Sequence, residues 1–165
     1  MCEADTQPSF ICDSFDPKTK PTDIVLSNNS HTIKSTTTQW KTIRGTTIMK
    51  TGKFNFRFKI DEVPSSTTAT MIGVCSPTCK SIAYQHTTGY VFYGYNGNKY
   101  HNSRDSTYGG KWKKGDVVGM FVDMDKKTIR FELNGKDYGI AYSNISNETI
   151  LSVDMYYTGE QITIF

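Results

Sequence analysis

Cys75 and Cys79 have a spacing that suggests chemistry, since two cysteines four positions apart can form half of a zinc knuckle. A structural zinc site needs four ligands, and no second Cys or His pair stands at zinc-ligand spacing. The three histidines are scattered along the chain: His31, His86 and His101. We therefore predict no metal at this position, and we interpret the two thiols as small apolar residues around a turn at Pro77.

Asp123 and Asp125 could suggest a different metal site, because alternate residues of a strand share one face. Asp116 lies upstream and could add a third carboxylate. Lys126 and Lys127 directly follow the pair and would oppose a cation, and a hard cation needs several oxygen ligands. We predict that these carboxylates accept hydrogen bonds in turns instead, and that the protein binds no metal or other cofactor.

The sequence also lacks a recognisable catalytic arrangement. It contains no Gly-x-Ser-x-Gly elbow, no phosphate-cradling glycine loop and no His-Glu-x-x-His motif. His86 or His101 could serve a cryptic hydrolase as general base, but neither has a recognisable nucleophile partner in the sequence. We therefore predict that the protein is not an enzyme.

A cluster of lysines raises the question of nucleic-acid or anionic-lipid binding. Its members are Lys111, Lys113, Lys114, Lys126 and Lys127. Acidic residues are interleaved with them, and the net charge of the chain is only +3. A nucleic-acid binder of this kind neutralises many phosphates. We predict a solvated loop and a charged sheet edge, with neither nucleic acid nor a membrane as partner.

Tyr84 and Tyr157 best fit a role in binding, because both are predicted to lie in loops. Tyrosine gives a large contact area at a low entropic cost and is enriched in binding surfaces. Most of the aromatic residues, 10 Tyr, 9 Phe and 2 Trp, must instead fill the core. Trp40 and Trp112 are predicted to be core or loop-anchoring residues.

The frame that would position these side chains is predicted from the residue types of the whole chain. Its 165 residues correspond to one domain, and they include 14 Ile, 8 Val and 22 Thr but only 3 Leu and 4 Ala. Branched and aromatic residues favour strands, whereas Leu and Ala favour helices. Residues 1–10 are polar and are predicted to be a loose tail, so the folded domain would span residues 11–165.

Short apolar runs alternate with turn residues along this domain. The segment Phe54–Ile60 places apolar side chains at alternate positions, which predicts a strand with one buried face. Residues 117–142 predict a three-strand meander with a tight turn at Asn134–Gly135. Residues 103–115 are predicted to be a loop, and no segment has helical periodicity. About a dozen short strands predict an all-β, two-sheet antiparallel sandwich.

Sequence features also bear on the compartment. No apolar run approaches the roughly 20 residues of a membrane helix, and the first residues lack a basic start followed by an apolar stretch. We therefore expect a cytoplasmic monomer whose four cysteines are free thiols.

Several fragments together resemble the SPRY domain family. Residues 112–123 resemble the family pattern W..GD.vG..vD, and residues 129–142 resemble i.F..NG...G.aF. Further fragments fit the same family at residues 40–45, 52–56, 72–74 and 93–97. The resemblance covers about residues 13–165, and it is to the Ran-binding-protein type rather than the tripartite-motif type with its longer PRY segment.

The resemblance implies a bent β-sandwich related in shape to the lectin-like jelly roll. It also implies a non-catalytic protein-interaction module that grips a short peptide or loop epitope with variable loops at one edge. Many family members act as scaffolds or as substrate-recruiting adaptors of ubiquitin ligases. The lectin-like shape leaves carbohydrate binding as the alternative function.

The resemblance places three segments at the usual peptide face. The predicted contact residues are Thr36, Thr37, Thr38, Tyr84, Gln85, His86, Tyr157, Thr158 and Gly159. Peptide binders of the family often have Arg in the first of these loops and Trp in the last, where this chain has Thr and Tyr. Their best-known epitope, an acidic residue followed by an Asn-rich sequence, is therefore not assumed.

Overall fold

The computed structural model describes residues 10–64 and 68–165, within which the chain forms 13 strands and one short 3-10 helix. The strands are β1 (Ile24–Ser27), β2 (Thr32–Ser35), β3 (Lys41–Met49), β4 (Lys53–Glu62), β5 (Met71–Cys75), β6 (Tyr90–Tyr93), β7 (Lys99–His101), β8 (Arg104–Ser106), β9 (Val117–Asp123), β10 (Thr128–Leu133), β11 (Lys136–Ser143), β12 (Thr149–Met155) and β13 (Gln161–Ile164). The 3-10 helix, Ala83–Gln85, lies between β5 and β6.

The strands form two antiparallel sheets. One has seven strands in the order β1-β2-β13-β4-β9-β10-β11, and the other has six in the order β3-β12-β5-β6-β7-β8. All strand pairs within them are antiparallel. The predicted all-β sandwich is thus confirmed.

The main core lies between the inner faces of the two sheets. In β4, Phe56, Phe58 and Ile60 are fully buried while the intervening side chains are partly or largely exposed, as their alternation predicts. Trp112 is fully buried and packs edge-on against Phe92, at 5.0 Å between ring centroids. Of the two tryptophans, Trp112 is therefore a core residue.

A second, smaller core lies on the outer face of the six-stranded sheet. There the segment between β5 and β6, residues 76–89, folds back over the sheet and buries Cys79 and Ala83 against Met71, Cys75 and Val91. Every residue of the neighbouring β12 is buried, because the strand is covered on both faces. This segment adds a third layer over part of one sheet.

One prediction about local structure is wrong: the predicted loop over residues 103–115 contains a strand, β8, near its start. All three residues of β8 are exposed, so an edge strand of polar side chains gives no apolar alternation to detect. The 3-10 helix has only three residues, which is too short for a periodic pattern.

Turn chemistry explains the meander that follows. Asn134 and Gly135 both have positive φ, 51° and 81°, between β10 and β11. This is the geometry of the two-residue turn that the Asn-Gly pair predicts. The predicted tail is largely outside the described residues, which begin at Phe10, and the Phe10 ring lies 5.7 Å from that of Phe121.

Two searches of the described residues bear on function. No helix there is long and apolar enough to cross a bilayer. No group of three or more His, Cys, Asp or Glu residues is arranged there to hold a metal ion.

Candidate functional site

Seven aromatic side chains gather at one end of the outer face of the six-stranded sheet. We call them the aromatic patch: Trp40, Tyr84, Tyr93, Tyr95, Tyr100, Tyr156 and Tyr157. Six are partly exposed, and Tyr95 is the most exposed, with 47% of its surface accessible. Large rings that stay accessible beside a closed core form a surface able to bury apolar area on binding.

Trp40 is the centre of the patch. Its ring centroid lies 5.1 Å from that of Tyr84, 5.1 Å from that of Tyr156 and 6.4 Å from that of Tyr93. Tyr157 packs edge-on against Tyr156 at 4.9 Å. The two tyrosines that the sequence singled out, Tyr84 and Tyr157, are therefore joined through the ring of Trp40.

Strand alternation accounts for this clustering. Ile43 of β3 faces the main core, so Thr42, and Trp40 just before the strand, face outward. In β6, Phe92 faces the main core and Tyr93 faces outward, where it packs against the second core. The patch is thus the outward set of side chains at one end of several neighbouring strands.

The buried carboxylate of Asp154 fixes the position of Tyr84. Its Oδ2 accepts the Tyr84 backbone N–H at 2.9 Å, and its Oδ1 accepts the Ala83 backbone N–H at 3.2 Å and the hydroxyl of Thr42. Complete burial raises the pKa of this carboxyl to about 6, against the opposing effect of these hydrogen bonds. One strand residue thereby anchors the loop that carries Tyr84.

A second buried carboxylate, that of Glu160, fixes the other loop. Its Oε2 accepts the backbone N–H groups of Tyr156 at 3.0 Å and Tyr157 at 3.1 Å. Its Oε1 accepts the hydroxyl of Thr68 at 2.8 Å and the Ala69 backbone N–H at 2.5 Å. The side chain is fully buried, so these four donors replace the water that would otherwise solvate it.

The first predicted segment, Thr36–Thr38, divides between two surroundings. The Thr38 hydroxyl lies 3.1 Å from that of Thr158, and Gly159 donates its backbone N–H to the Ser35 carbonyl at 2.8 Å. The structure therefore brings Thr38 and the Tyr157–Gly159 turn together. Thr36 instead donates its hydroxyl to the Asp23 carbonyl at 3.0 Å, and Thr37 is held locally by Ser35.

Gln85 and His86 are occupied by neighbours within their own loop. Gln85 donates from Nε2 to the Tyr84 hydroxyl at 3.0 Å, which steadies that ring. The Nδ1 of His86 accepts the Thr88 backbone N–H at 3.1 Å. The other histidine considered for catalysis, His101, stacks on Tyr90 and contacts the Gly89 carbonyl through Nδ1 at 2.8 Å. Both rings thus fasten the loop around Tyr84.

Sequence reasoning missed the other five members of the patch: Trp40, Tyr93, Tyr95, Tyr100 and Tyr156. The alternation of side chains along a strand could have indicated two of them. Trp40 stands three residues before the buried Ile43, and Tyr93 directly follows the buried Phe92, so both are expected on the opposite face of the sheet. Burial raises the pKa of Tyr93 and Tyr100, so their hydroxyls stay protonated at neutral pH and can donate hydrogen bonds.

Comparison with known proteins now adds the family. The model of the SPRY domain matches residues 53–164. The chain belongs to the SPRY domain family. SPRY domains are protein-interaction modules, and the predicted resemblance is confirmed.

Among curated relatives, an ATP-dependent RNA helicase DDX1 of Xenopus laevis is 32% identical over 63 residues, covering 36% of this chain and 8% of the helicase. A Ran-binding proteins 9/10 homolog of Drosophila melanogaster is 31% identical over 74 residues, covering 44% of this chain and 8% of that protein. The chain thus matches less than a tenth of the length of these relatives.

Solved structures share the fold. The SPRY domain of human HERC1 superposes with a TM-score of 0.81 at 22% identity, covering 91% of this chain and 96% of that one. The TRIM65 PSpry domain gives a TM-score of 0.77 at 14% identity, covering 94% of this chain and 93% of the other. The likeness extends over nearly the whole chain and concerns the fold alone.

Proposed function

We propose that this SPRY domain is a non-catalytic module that binds a peptide or an exposed loop of another protein on its aromatic patch. The observation that carries the proposal is the ring cluster around Trp40, accessible to solvent yet held in place from beneath. Binding hot spots are enriched in Trp and Tyr that bury fully against a partner. Ordering the patch in advance lowers the entropic cost of binding.

The two buried carboxylates support this proposal because they immobilise the loops without occupying the surface. Asp154 and Glu160 take up backbone N–H groups from beneath, so the rings of Tyr84 and Tyr157 stay available. Hydroxyls at the border, such as that of Thr158, can orient a bound backbone by hydrogen bonds. Rigid aromatic anchors with a polar rim are the usual anatomy of a specific interface.

We further propose that residues 11–165 are the folded unit and that the domain acts in the cytoplasm as a monomeric adaptor. The free thiols of Cys12, Cys75 and Cys79 support a reducing compartment. The partner would thus be a protein, not a nucleic acid or a membrane.

A random-peptide display library is the test. We expect the full chain to select peptides, and the double variant Tyr84→Ala, Tyr157→Ala to bind them at least about 30-fold more weakly, because a truncated hot spot costs about 2 kcal/mol or more. The matched control is Ile140→Ala, an exposed apolar residue of β11 in the other sheet, 58% accessible.

Full retention of binding by the double variant would contradict the proposal. Failure to select any peptide, together with saturable binding on a glycan array, would favour the carbohydrate alternative instead.

A further inference from the structure

A second depression adjoins the aromatic patch, with Trp40 forming part of both. It is an open cavity of about 300 Å³ between β3, the loop preceding β1 and the start of the 76–89 segment. Its charged lining residues are Lys41, Arg44 and Lys80. We call this cavity the basic pocket.

The lining of the basic pocket has three cations and no carboxylate. Lys41 is shared, since its Nζ lies 3.4 Å from an Asp23 carboxylate oxygen. Within the described part of the chain, neither Arg44 nor Lys80 forms an ion pair. Cations without a carboxylate partner favour an anionic ligand.

Nearby acids are already engaged. Asp16 accepts hydrogen bonds from the Lys18 backbone N–H and the Thr19 hydroxyl, each at 2.9 Å. Asp154 lies beneath Thr42 and is satisfied by its three donors. The hydroxyl of Ser81, which also lines the cavity, adds a neutral donor. The lining itself therefore carries three positive charges and no negative charge.

We propose that the basic pocket binds one acidic side chain of the bound peptide through the oxyanion of its carboxylate or phosphate group. The side chain next to it in the peptide packs on Trp40. This rests on the proposed function and narrows it to acidic epitopes. Arg and Lys form charge-assisted hydrogen bonds with carboxylate and phosphate oxygens. A cavity of about 300 Å³ is at the lower limit for ligand sites, which suits a single side chain.

A peptide fits better than a nucleic acid. Strands of nucleic acid are tracked by a basic groove that neutralises successive phosphates. Here the three cations converge on one cavity, and the chain as a whole carries only +3. This arrangement complements a peptide that has one anionic group next to an aromatic side chain.

The test uses the full chain and arrayed 12-residue peptides of random sequence, each set fixed at its centre as Trp-Glu, Trp-Gln, Trp-phosphoserine or Trp-Ser. We expect the Glu or phosphoserine set to bind at least about tenfold more tightly than its neutral counterpart. The variant Lys41→Gln, Lys80→Gln should abolish that preference, and Lys53→Glu on the other sheet should not. Tighter binding of the Trp-Glu set would identify a carboxylate ligand, and tighter binding of the Trp-phosphoserine set would identify a phosphate ligand.

Equal binding of charged and neutral sets, with binding still lost in the Tyr84→Ala, Tyr157→Ala variant, would overturn the basic pocket and leave the proposed function intact. If no peptide binds, the probe is inorganic phosphate, followed by NMR at the amides of residues 80–82. Shifts that vanish in Lys41→Gln, Lys80→Gln would support the pocket without the peptide, and unmoved amides would overturn it. Tight binding of a single-stranded oligonucleotide through the same lysines would overturn it as well.

Discussion

At the residue scale, the buried carboxyl of Asp154 connects the folding stability of the domain with the aromatic patch. Its carboxylate accepts two backbone N–H groups of the 76–89 segment, at Ala83 and Tyr84, from within a strand. Because burial disfavours the charge, the group titrates near neutrality instead of near pH 4. Its protonation state therefore affects the free energy of unfolding within an accessible pH range.

The sign of this effect follows from the two pKa values. The carboxyl has a pKa of about 6 in the folded protein and 3.8 as a model group, so the folded state holds a proton that the unfolded state releases between these values. The stabilising contribution is complete below about pH 4 and is lost as the pH rises through 6. We expect the free energy of unfolding of wild type to rise by up to roughly 3 kcal/mol, relative to that of Asp154→Asn, when the pH is lowered from 7 to 4.

Urea unfolding of both proteins across this pH range measures the difference. Glu148→Gln, which removes an exposed carboxylate paired with Lys50, serves as the control for the loss of a surface carboxylate. Parallel pH profiles for wild type and Asp154→Asn would contradict the account of this residue.

The two tryptophans are predicted to respond in opposite ways to truncation. Trp40→Ala should weaken binding of selected peptides by about 30-fold or more while the domain stays folded, because the ring is partly exposed at the centre of the patch. Trp112→Ala should lower the free energy of unfolding by about 3–5 kcal/mol, because that ring is fully buried. Titration and denaturant unfolding of both variants check this, and a Trp40→Ala variant that binds normally would contradict it.

At the residue scale, the sequence singles out Tyr84 and Tyr157 because turn residues flank them, and their role in binding stays a prediction. Trp40 was interpreted as a core or loop-anchoring residue, because the apolar pattern of a strand does not say which of its faces is covered. The role of Asp154 depends on partners about 70 positions away, and Glu160 joins its own turn to residues about 90 positions away, which no local pattern reveals.

At the element scale, the 76–89 segment covers part of one sheet face and carries Tyr84 of the aromatic patch. It is held by Asp154 at one point and by packing of Cys79 and Ala83 at another. Gly89 permits the close return of the chain, since a Cβ at this position would collide with the Ala83 carbonyl. The segment depends on a residue that no larger side chain can replace.

We expect Gly89→Ala to displace the segment, with a loss of about 1–3 kcal/mol in the free energy of unfolding. Peptide binding should fall with it, and the amides of Ala83 and Tyr84 should exchange faster with solvent. Hydrogen exchange and denaturant unfolding measure both effects. Thr87→Ala, an exposed site in the same segment, is the control, and unchanged exchange in Gly89→Ala would contradict this role.

Elements with strict alternation were predictable, and the remainder were not. The segment Phe54–Ile60 and the Asn134–Gly135 turn carry strong local signals, and both lie as expected. β8 has only exposed polar residues, and the 3-10 helix has three residues, so neither generates a periodic pattern. The layer over the outer sheet face was missed because residues 76–89 pack on it without a periodic apolar pattern.

At the scale of the whole molecule, the two sheets of the sandwich share one core. The main core is continuous between the two sheets, so destabilising one sheet should weaken both. We expect Phe56→Ala, fully buried in β4, to lower the free energy of unfolding by about 3–5 kcal/mol in one transition. Tryptophan fluorescence and far-ultraviolet circular dichroism should report the same midpoint, and separate transitions would contradict a single cooperative unit.

The central claim is that the aromatic patch is the surface that receives another polypeptide. The most direct measurement is NMR mapping of the amide shifts of the full chain during titration with a peptide selected from the display library. The account predicts that the largest shifts cluster at Thr38, Tyr84 and Tyr157, around Trp40. A cluster of shifts on the opposite sheet, around Phe121 and Ile140, would contradict it.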